Sequence, residues 1–266
     1  MFSPPSGVDP NTPSIARVYD YFLGGKDNFA ADRKLAEQVL KVAPRARATA
    51  RANRGFLVRA TKAVARAGIR QFADLGTGLP TSPNVHEVAQ RITPDARVAY
   101  VDNDSIVLNH ARALLSGTRS SVITIDGDLR DPKGILEHPE LSAHIDFAQP
   151  VAVLLVAALH LMTNEDGPHQ LVEMIRDRMA PGSHLILSHL WNDPDGVTRG
   201  GADEYARAGA SAPVVPRSRE QILRFFDGFE LIEPGLVFLD QWRPTDDMIN
   251  VGDDDRFCLC AVGRKP

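Results

Sequence analysis

The stretch Gln71-Phe-Ala-Asp-Leu-Gly-Thr-Gly-Leu-Pro-Thr81 runs from apolar residues into two spaced glycines and then, through Ser82-Pro83, into a helical pattern. That order reads as strand, tight turn, helix. Gly76 admits the turn and Gly78 lets the backbone approach a ligand without a Cβ in the way. Ser82 and Pro83 are placed as N-cap and first residue of the next helix. The same alternation recurs downstream, with candidate strands at Gln71 to Leu75, Arg97 to Val101, Val122 to Ile125, Val151 to Val156 and His184 to Ser188. Helical patterns lie between them, near Asn84 to Arg91, Ser105 to Leu115 and Gly167 to Met179. Short apolar runs alternating with amphipathic ones predict a parallel sheet covered on both faces.

Upstream, a loose arm rich in Pro, Ser and Gly precedes a helix that Ser14 is placed to cap, with Ile15, Val18, Tyr19 and Phe22 on one face and Gly24-Gly25 at its end. Two further helices run from about Phe29 to Lys41 and from about Ala46 to Ala67, the latter closed by Gly68. The expected organisation is an arm and helical cap over residues 1–68 and a Rossmann-like domain over 69–266, in one compact unit. After the fifth strand, Trp191 to Pro216 reads as an insertion with one short helix around Glu204 to Ala208. Ser218 and Gln221 then stand at capping-box spacing. The runs Leu236 to Leu239 and Phe257 to Val262, joined by a polar stretch with Asp253-Asp254-Asp255, predict an antiparallel hairpin.

Among 266 residues, 43% are hydrophobic and 24% charged, the balance of an ordinary globular chain. The longest apolar run, Val151 to Leu161, falls short of the roughly 20 residues that span a bilayer, and no signal-like segment opens the chain, so a cytoplasmic location without membrane association is expected. A net charge of -4 offers no global attraction for nucleic acid, and the arginines between Arg45 and Arg59 read as a solvated helix face. Cys258 and Cys260 sit two apart in a strand pattern, which points both thiols the same way and forbids an ordinary disulfide.

Asp102 ends the second strand 26 residues after Gly76, near the spacing at which a carboxylate accepts hydrogen bonds from a ribose diol. The third glycine of a dinucleotide loop is missing; Leu79-Pro80-Thr81 stands there, and Asp74 precedes the turn. A carboxylate and a proline suit the ammonium and sulfonium of S-adenosylmethionine better than a pyrophosphate, which seeks free N–H groups and a helix dipole. At the end of the third strand, Asp128 is placed to accept from an adenine amine, although Asp126-Gly-Asp128 also reads as a plain turn.

These residues resemble the actinobacterial S-adenosyl methyltransferase family, formerly a domain of unknown function. Ser14-Ile-Ala-Arg-Val-Tyr-Asp-Tyr-Phe-Leu-Gly-Gly-Lys-Asp-Asn28, Arg51-Ala-Asn-Arg-Gly-Phe56, Gln71 to Thr81, Asn84-Val-His-Glu87, Tyr100-Val-Asp-Asn-Asp104, Asp128-Leu-Arg-Asp-Pro132, Phe226-Asp-Gly228 and Trp242-Arg-Pro244 carry the likeness over nearly the whole chain. The resemblance implies a class I methyltransferase fold, a seven-stranded sheet whose last strand is antiparallel, with the cofactor at the carboxyl ends of the central strands. It implies no particular acceptor; a small molecule is expected.

The expected cofactor site takes Asp74, Gly76, Thr77, Gly78 and Pro80 from the loop, and Asp102, Asn103, Asp128 and Leu129 from the next strand ends. Tyr19, Tyr21 and Gly24 would add a lid, and Arg54 would hold the methionine carboxylate; a helix hairpin that only packs on the core is the alternative. His160 follows the fourth strand and is the candidate general base, or else a ring that packs on the cofactor or bonds the backbone. The eight histidines show no metal-ligand spacing, so no metal is expected. Two other functions stay open: a non-catalytic S-adenosylmethionine-binding regulator and a nicotinamide-dependent oxidoreductase.

Overall fold

The computed structural model describes residues 9–115, 121–245 and 256–266. Five parallel strands form the centre: β1 (Gln71–Leu75), β2 (Arg97–Asp102), β3 (Val122–Asp126), β4 (Ala152–Val156) and β5 (His184–Leu190). The short β6 (Glu230–Leu231) and β7 (Val237–Phe238) both pair antiparallel with β8 (Cys258–Arg264), which itself runs antiparallel to β5. The order is β3-β2-β1-β4-β5-β8-β6, with β7 also on β8. Succession reverses between β1 and β4, and the crevice outside their carboxyl ends is where such sheets bind ligands.

The expected antiparallel last strand is present, but the sheet has eight strands rather than seven. The added one arises because a single edge segment is broken by Pro234, which has no N–H to donate, and by Gly235 at φ +83. The expected pairing of Leu236–Leu239 with Phe257–Val262 is found, in the register Val237 to Cys260. Asp253 to Asp255 lie outside the described residues.

Ten α-helices are described: α1 (Ile15–Leu23), α2 (Ala30–Val42), α3 (Ala46–Arg66), α4 (Val85–Gln90), α5 (Ser105–Leu115), α6 (Pro132–Leu136), α7 (Pro139–His144), α8 (Pro168–Arg178), α9 (Val197–Arg207) and α10 (Arg219–Leu223). Leu171, Val172 and Ile175 of α8 pack with Phe225 on one face of the sheet. Phe56, Leu57, Ala60 and Val64 of α3 cover the other, where Phe56 meets Trp242 edge to face at 5.5 Å. The inner face of α3, assigned by the sequence to the cap, therefore belongs to the core of the sheet. Val18 and Phe22 of α1 and Leu35, Ala36 and Val39 of α2 form a separate apolar cluster that also gathers Val197 and Tyr205 of α9.

Several local expectations are corrected. Helix α4 starts after Asn84, not at Ser82-Pro83; Glu87 accepts the Asn84 N–H at 2.6 Å, the reciprocal half of a capping box. Ser14 precedes α1, but its hydroxyl donates to Asp104 at 3.1 Å instead of capping the helix. Helices α6 and α7, of five and six residues, escape a periodicity search because neither completes two turns. The insertion holds an eleven-residue helix, Val197–Arg207, rather than a short one around Glu204 to Ala208. Ser218 and Gln221 do form their capping box, the hydroxyl accepting from Gln221 N at 3.2 Å.

Candidate active site

The carboxyl ends of β1, β2 and β4 open into a cavity of about 590 Å³, roofed by α1, α2, α3 and α9. Gly76, at φ +71, turns the chain off β1, and its N–H returns to Val101 O at 2.8 Å. A Cβ there would stand 3.0 Å from that of Ala158, so only glycine leaves this floor open. Ala157, next to it, is held at φ +58 with its N–H on Ser188 Oγ at 3.0 Å. A non-glycine residue in the left-handed region stores strain of about 1–3 kcal/mol, and such strain concentrates at functional sites.

Two carboxylates define the electrostatics. Asp74 is buried, accepts the Thr77 hydroxyl at 3.0 Å and makes no ion pair with any described residue. Burial pushes its pKa up to about 6, with Asp102 adding to the rise and Thr77 and Arg54 opposing it. Asp102 accepts Gly78 N at 2.8 Å and Asp104 N at 2.9 Å, which fixes the loop while leaving lone pairs for further donors. Burial raises its pKa too. Such a pair is matched to a cation and to hydroxyl donors, and mismatched to phosphates.

Asn103, Asp128 and Leu129 border the cavity beside this pair. Asp128 is held by the Arg130 guanidinium and by Asn103 Nδ2 at 3.1 Å, and the Arg130 contact brings its pKa down to about 2. Gly127 has no room for a side chain, since a Cβ would lie 2.8 Å from Val101.

Arg54 borders the cavity but spends one nitrogen on the loop, donating to Thr81 O at 2.6 Å and Pro83 O at 2.9 Å. Tyr19 also reaches the cavity; its hydroxyl donates to Ala50 O at 3.1 Å and accepts from Asn53 at 3.0 Å. Asn53 in turn accepts from Ser188 at 2.6 Å, so a polar chain runs from β5 through α3 to α1.

Tyr21, Gly24 and Pro80 do not line the cavity. Tyr21 lies on the outer face of α1, bonded to Glu37 at 2.6 Å under the Arg47 guanidinium, because it is two residues from Tyr19 on a helix. Gly24, at φ +86, ends α1. Gly25 is required by Asp20, whose Oδ1 would stand 1.9 Å from a Cβ there and whose carboxylate takes Asp27 N at 3.0 Å and Asn28 Nδ2 at 2.8 Å. The glycine pair thus shapes a loop locked by Asp20.

His160 lines the cavity as a neutral ring. Burial, aided by Arg217, brings its pKa down to about 3, and Nδ1 accepts Leu190 N at 3.4 Å, which leaves the proton on Nε2. A general base needs a free lone pair and a pKa near neutrality, and this histidine has neither. Its ring is bonded to the backbone N–H of Leu190.

Sequence reasoning missed Asn53, Asp20, the inward face of α9 and Arg217. Only Asn53 and Asp20 had a signal, lying inside the stretches that carry the family resemblance. Arg217 is 2% exposed and donates to Leu159 O at 3.0 Å and Met162 O at 2.9 Å. Among the described residues no cluster of His, Cys, Asp and Glu could hold a metal ion. Cys258 and Cys260 are free and buried.

A family model for S-adenosyl methyltransferases matches residues 2–266. The chain belongs to that family. The cofactor of the family is S-adenosylmethionine, and the cavity's buried Asp74, its Asp102 and the floor that a Cβ at Gly76 would fill suit it. Among solved structures, the chain resembles a protein of Thermobifida fusca described as a candidate methyltransferase, at 42% identity and TM-score 0.92 over 100% of this chain and 99% of that one. It also resembles a DUF574 family protein of Streptomyces avermitilis, at 38% identity and TM-score 0.91 over 97% and 99%. An O-methyltransferase family protein of Burkholderia thailandensis, 14% identical with TM-score 0.53 over 96% and 64%, shares the fold alone. No curated protein matches the chain.

Proposed function

We propose that this member of the family is an active methyltransferase whose acceptor is a small molecule. The carrying observation is Asp74, a buried carboxylate at the head of the glycine loop without a cationic partner among the described residues. It would hold the ammonium of the methionine moiety, Asp102 the ribose hydroxyls, and the unbonded nitrogens of Arg54 the carboxylate. Leu129 would flank the adenine, with Asp128 and Asn103 at its edge. When bound, the cofactor supplies a methyl group activated by a sulfonium.

The protein's own contribution is alignment and exclusion of water, which together can account for a large part of such a barrier. Helices α1 and α2 act as a lid in this reading, pinned by the Ser188-Asn53-Tyr19 chain and by Ser14 on Asp104. Tyr19 faces the cavity from this lid, while Tyr21 and Gly24 shape it from outside.

Calorimetry on the full chain tests the reading. S-adenosylhomocysteine should bind and NAD should not, and Asp102→Ala should weaken the first about 10- to 100-fold, the loss of one or two charge-assisted hydrogen bonds. Release of S-adenosylhomocysteine from S-adenosylmethionine on incubation with the small-molecule fraction of a cell extract tests activity itself. Binding without release under any extract would mark a non-catalytic protein.

A further inference from the structure

The cavity wall opposite the glycine loop is built from matching faces of helices. On α9, Thr198, Gly201, Ala202 and Tyr205 all border it, the i, i+3, i+4, i+7 spacing of one helical face. On α3, Ala46, Thr49, Ala50 and Asn53 repeat that spacing. Val39 of α2 and Ala43, just past its end, also border the cavity. Helices α2 and α9 approach so closely that a Cβ at Gly200 would lie 2.8 Å from Val42. An inward face of small residues would ordinarily let a neighbour pack tightly. Here part of that face borders the cavity while Tyr205 also packs on the α1–α2 cluster.

On this wall Asn53 is bonded to Tyr19 and Ser188, whereas two hydroxyls are not bonded. Thr198 is 6% exposed and held against Asp193, which accepts its N–H at 2.7 Å, while the Thr49 hydroxyl has no hydrogen bond. The Tyr205 hydroxyl also bonds no described residue. A tyrosine hydroxyl is protonated at neutral pH, and burial raises this one's pKa further, so it stands as a donor. Tyr205 is half-buried and borders the cavity, so an oxygen on a ligand there can accept from its hydroxyl.

Charge is scarce on the same wall. Its cation among the described residues is Arg54, which is turned to the loop carbonyls of Thr81 and Pro83. Its carboxylate, Asp20, is occupied by Asp27 N and Asn28. A charged ligand buried here would lose its hydration without gaining a counter-ion.

We propose that this helix-lined part of the cavity is the methyl-acceptor subsite, and that it selects an uncharged small molecule with an apolar body and a hydroxyl or carbonyl oxygen that Tyr205 hydrogen-bonds. The inference rests on the methyltransferase reading and adds the substrate class and a specificity residue.

The test uses the full chain saturated with S-adenosylhomocysteine and four probes followed by ligand-observed NMR: 4-ethylphenol, cyclohexanone, 4-ethylbenzoate and 4-ethylbenzylammonium. The neutral pair should bind at least tenfold more tightly than the charged pair. Ala202→Phe, which fills the subsite, should abolish their binding, and Tyr205→Phe should weaken it about fivefold, both with S-adenosylhomocysteine affinity unchanged within twofold. If Ala202→Phe does not fold, the isosteric Tyr205→Phe decides. Equal binding of charged probes, neutral binding undiminished in both variants, or no binding of any probe overturns the subsite. Failure of the wild-type chain to bind S-adenosylhomocysteine would strike the methyltransferase reading instead.

Discussion

Asp74 carries a price in the ligand-free protein that the ligand removes. With its pKa raised to about 6, the folded state holds a proton that the unfolded state releases near pH 4. Between those values the native state binds more protons, so stability falls as pH rises, by roughly 3 kcal/mol over the shift of about two units. Asp74→Asn should therefore raise the ligand-free urea midpoint at pH 7.5 and flatten its change between pH 4 and 6. The same variant should weaken S-adenosylhomocysteine binding at least tenfold. Wild-type affinity should in turn drop as pH falls through 6, because the protonated carboxyl no longer attracts an ammonium. Urea melts across that range, with and without S-adenosylhomocysteine, check all of this, and a variant less stable than wild type at pH 7.5 would contradict it.

Elements around the cavity are joined by a few buried polar groups. Arg217, which follows the insertion, donates to the carbonyls of Leu159 and Met162, to Asn164 at 3.1 Å and to His189 at 2.9 Å, and His160 O accepts Val215 N at 2.7 Å. The segment after α9 is thereby fastened to the loop that follows β4. Arg217→Met should cost about 3 kcal/mol in a urea titration, since several buried acceptors lose a charged donor at once. Helix α1 meets α3 through the Tyr19 hydroxyl and through Arg47 over Tyr21, and α2 through the buried Arg17–Asp32 pair, so α1 and α2 form the hairpin whose closure over the cavity can be followed. Amide exchange in residues 15–29 should slow about tenfold or more when S-adenosylhomocysteine is added; unchanged protection would show that the hairpin only packs on the core.

At the scale of the whole molecule, a ligand seated between the sheet and its helical roof should stabilise both together. At one hundred times its dissociation constant, S-adenosylhomocysteine adds about 2.7 kcal/mol, and thermal unfolding should shift upward by on the order of 5 °C or more, with no shift for NAD. Two transitions, with only the second ligand-dependent, would mean that roof and sheet unfold separately. Among the described residues no helix is long and apolar enough to cross a membrane. The sequence by itself determined the five central strands, the glycine turn and the acidic residues Asp74 and Asp102, because these rest on local order: apolar runs, glycine at a turn, a carboxylate at a strand end. It overreached at Tyr21 and Gly24, where a dense motif is explained by the Asp20 loop lock, and at His160, whose ring is quenched by burial. Tertiary structure alone decided which faces of α3 and α9 look into the cavity, and that Arg217 ties the insertion down. Those depend on contacts between residues far apart in the chain, such as Ser188 with Asn53, which no local pattern records. The split of one edge segment into β6 and β7 likewise became visible only through its pairing with β8.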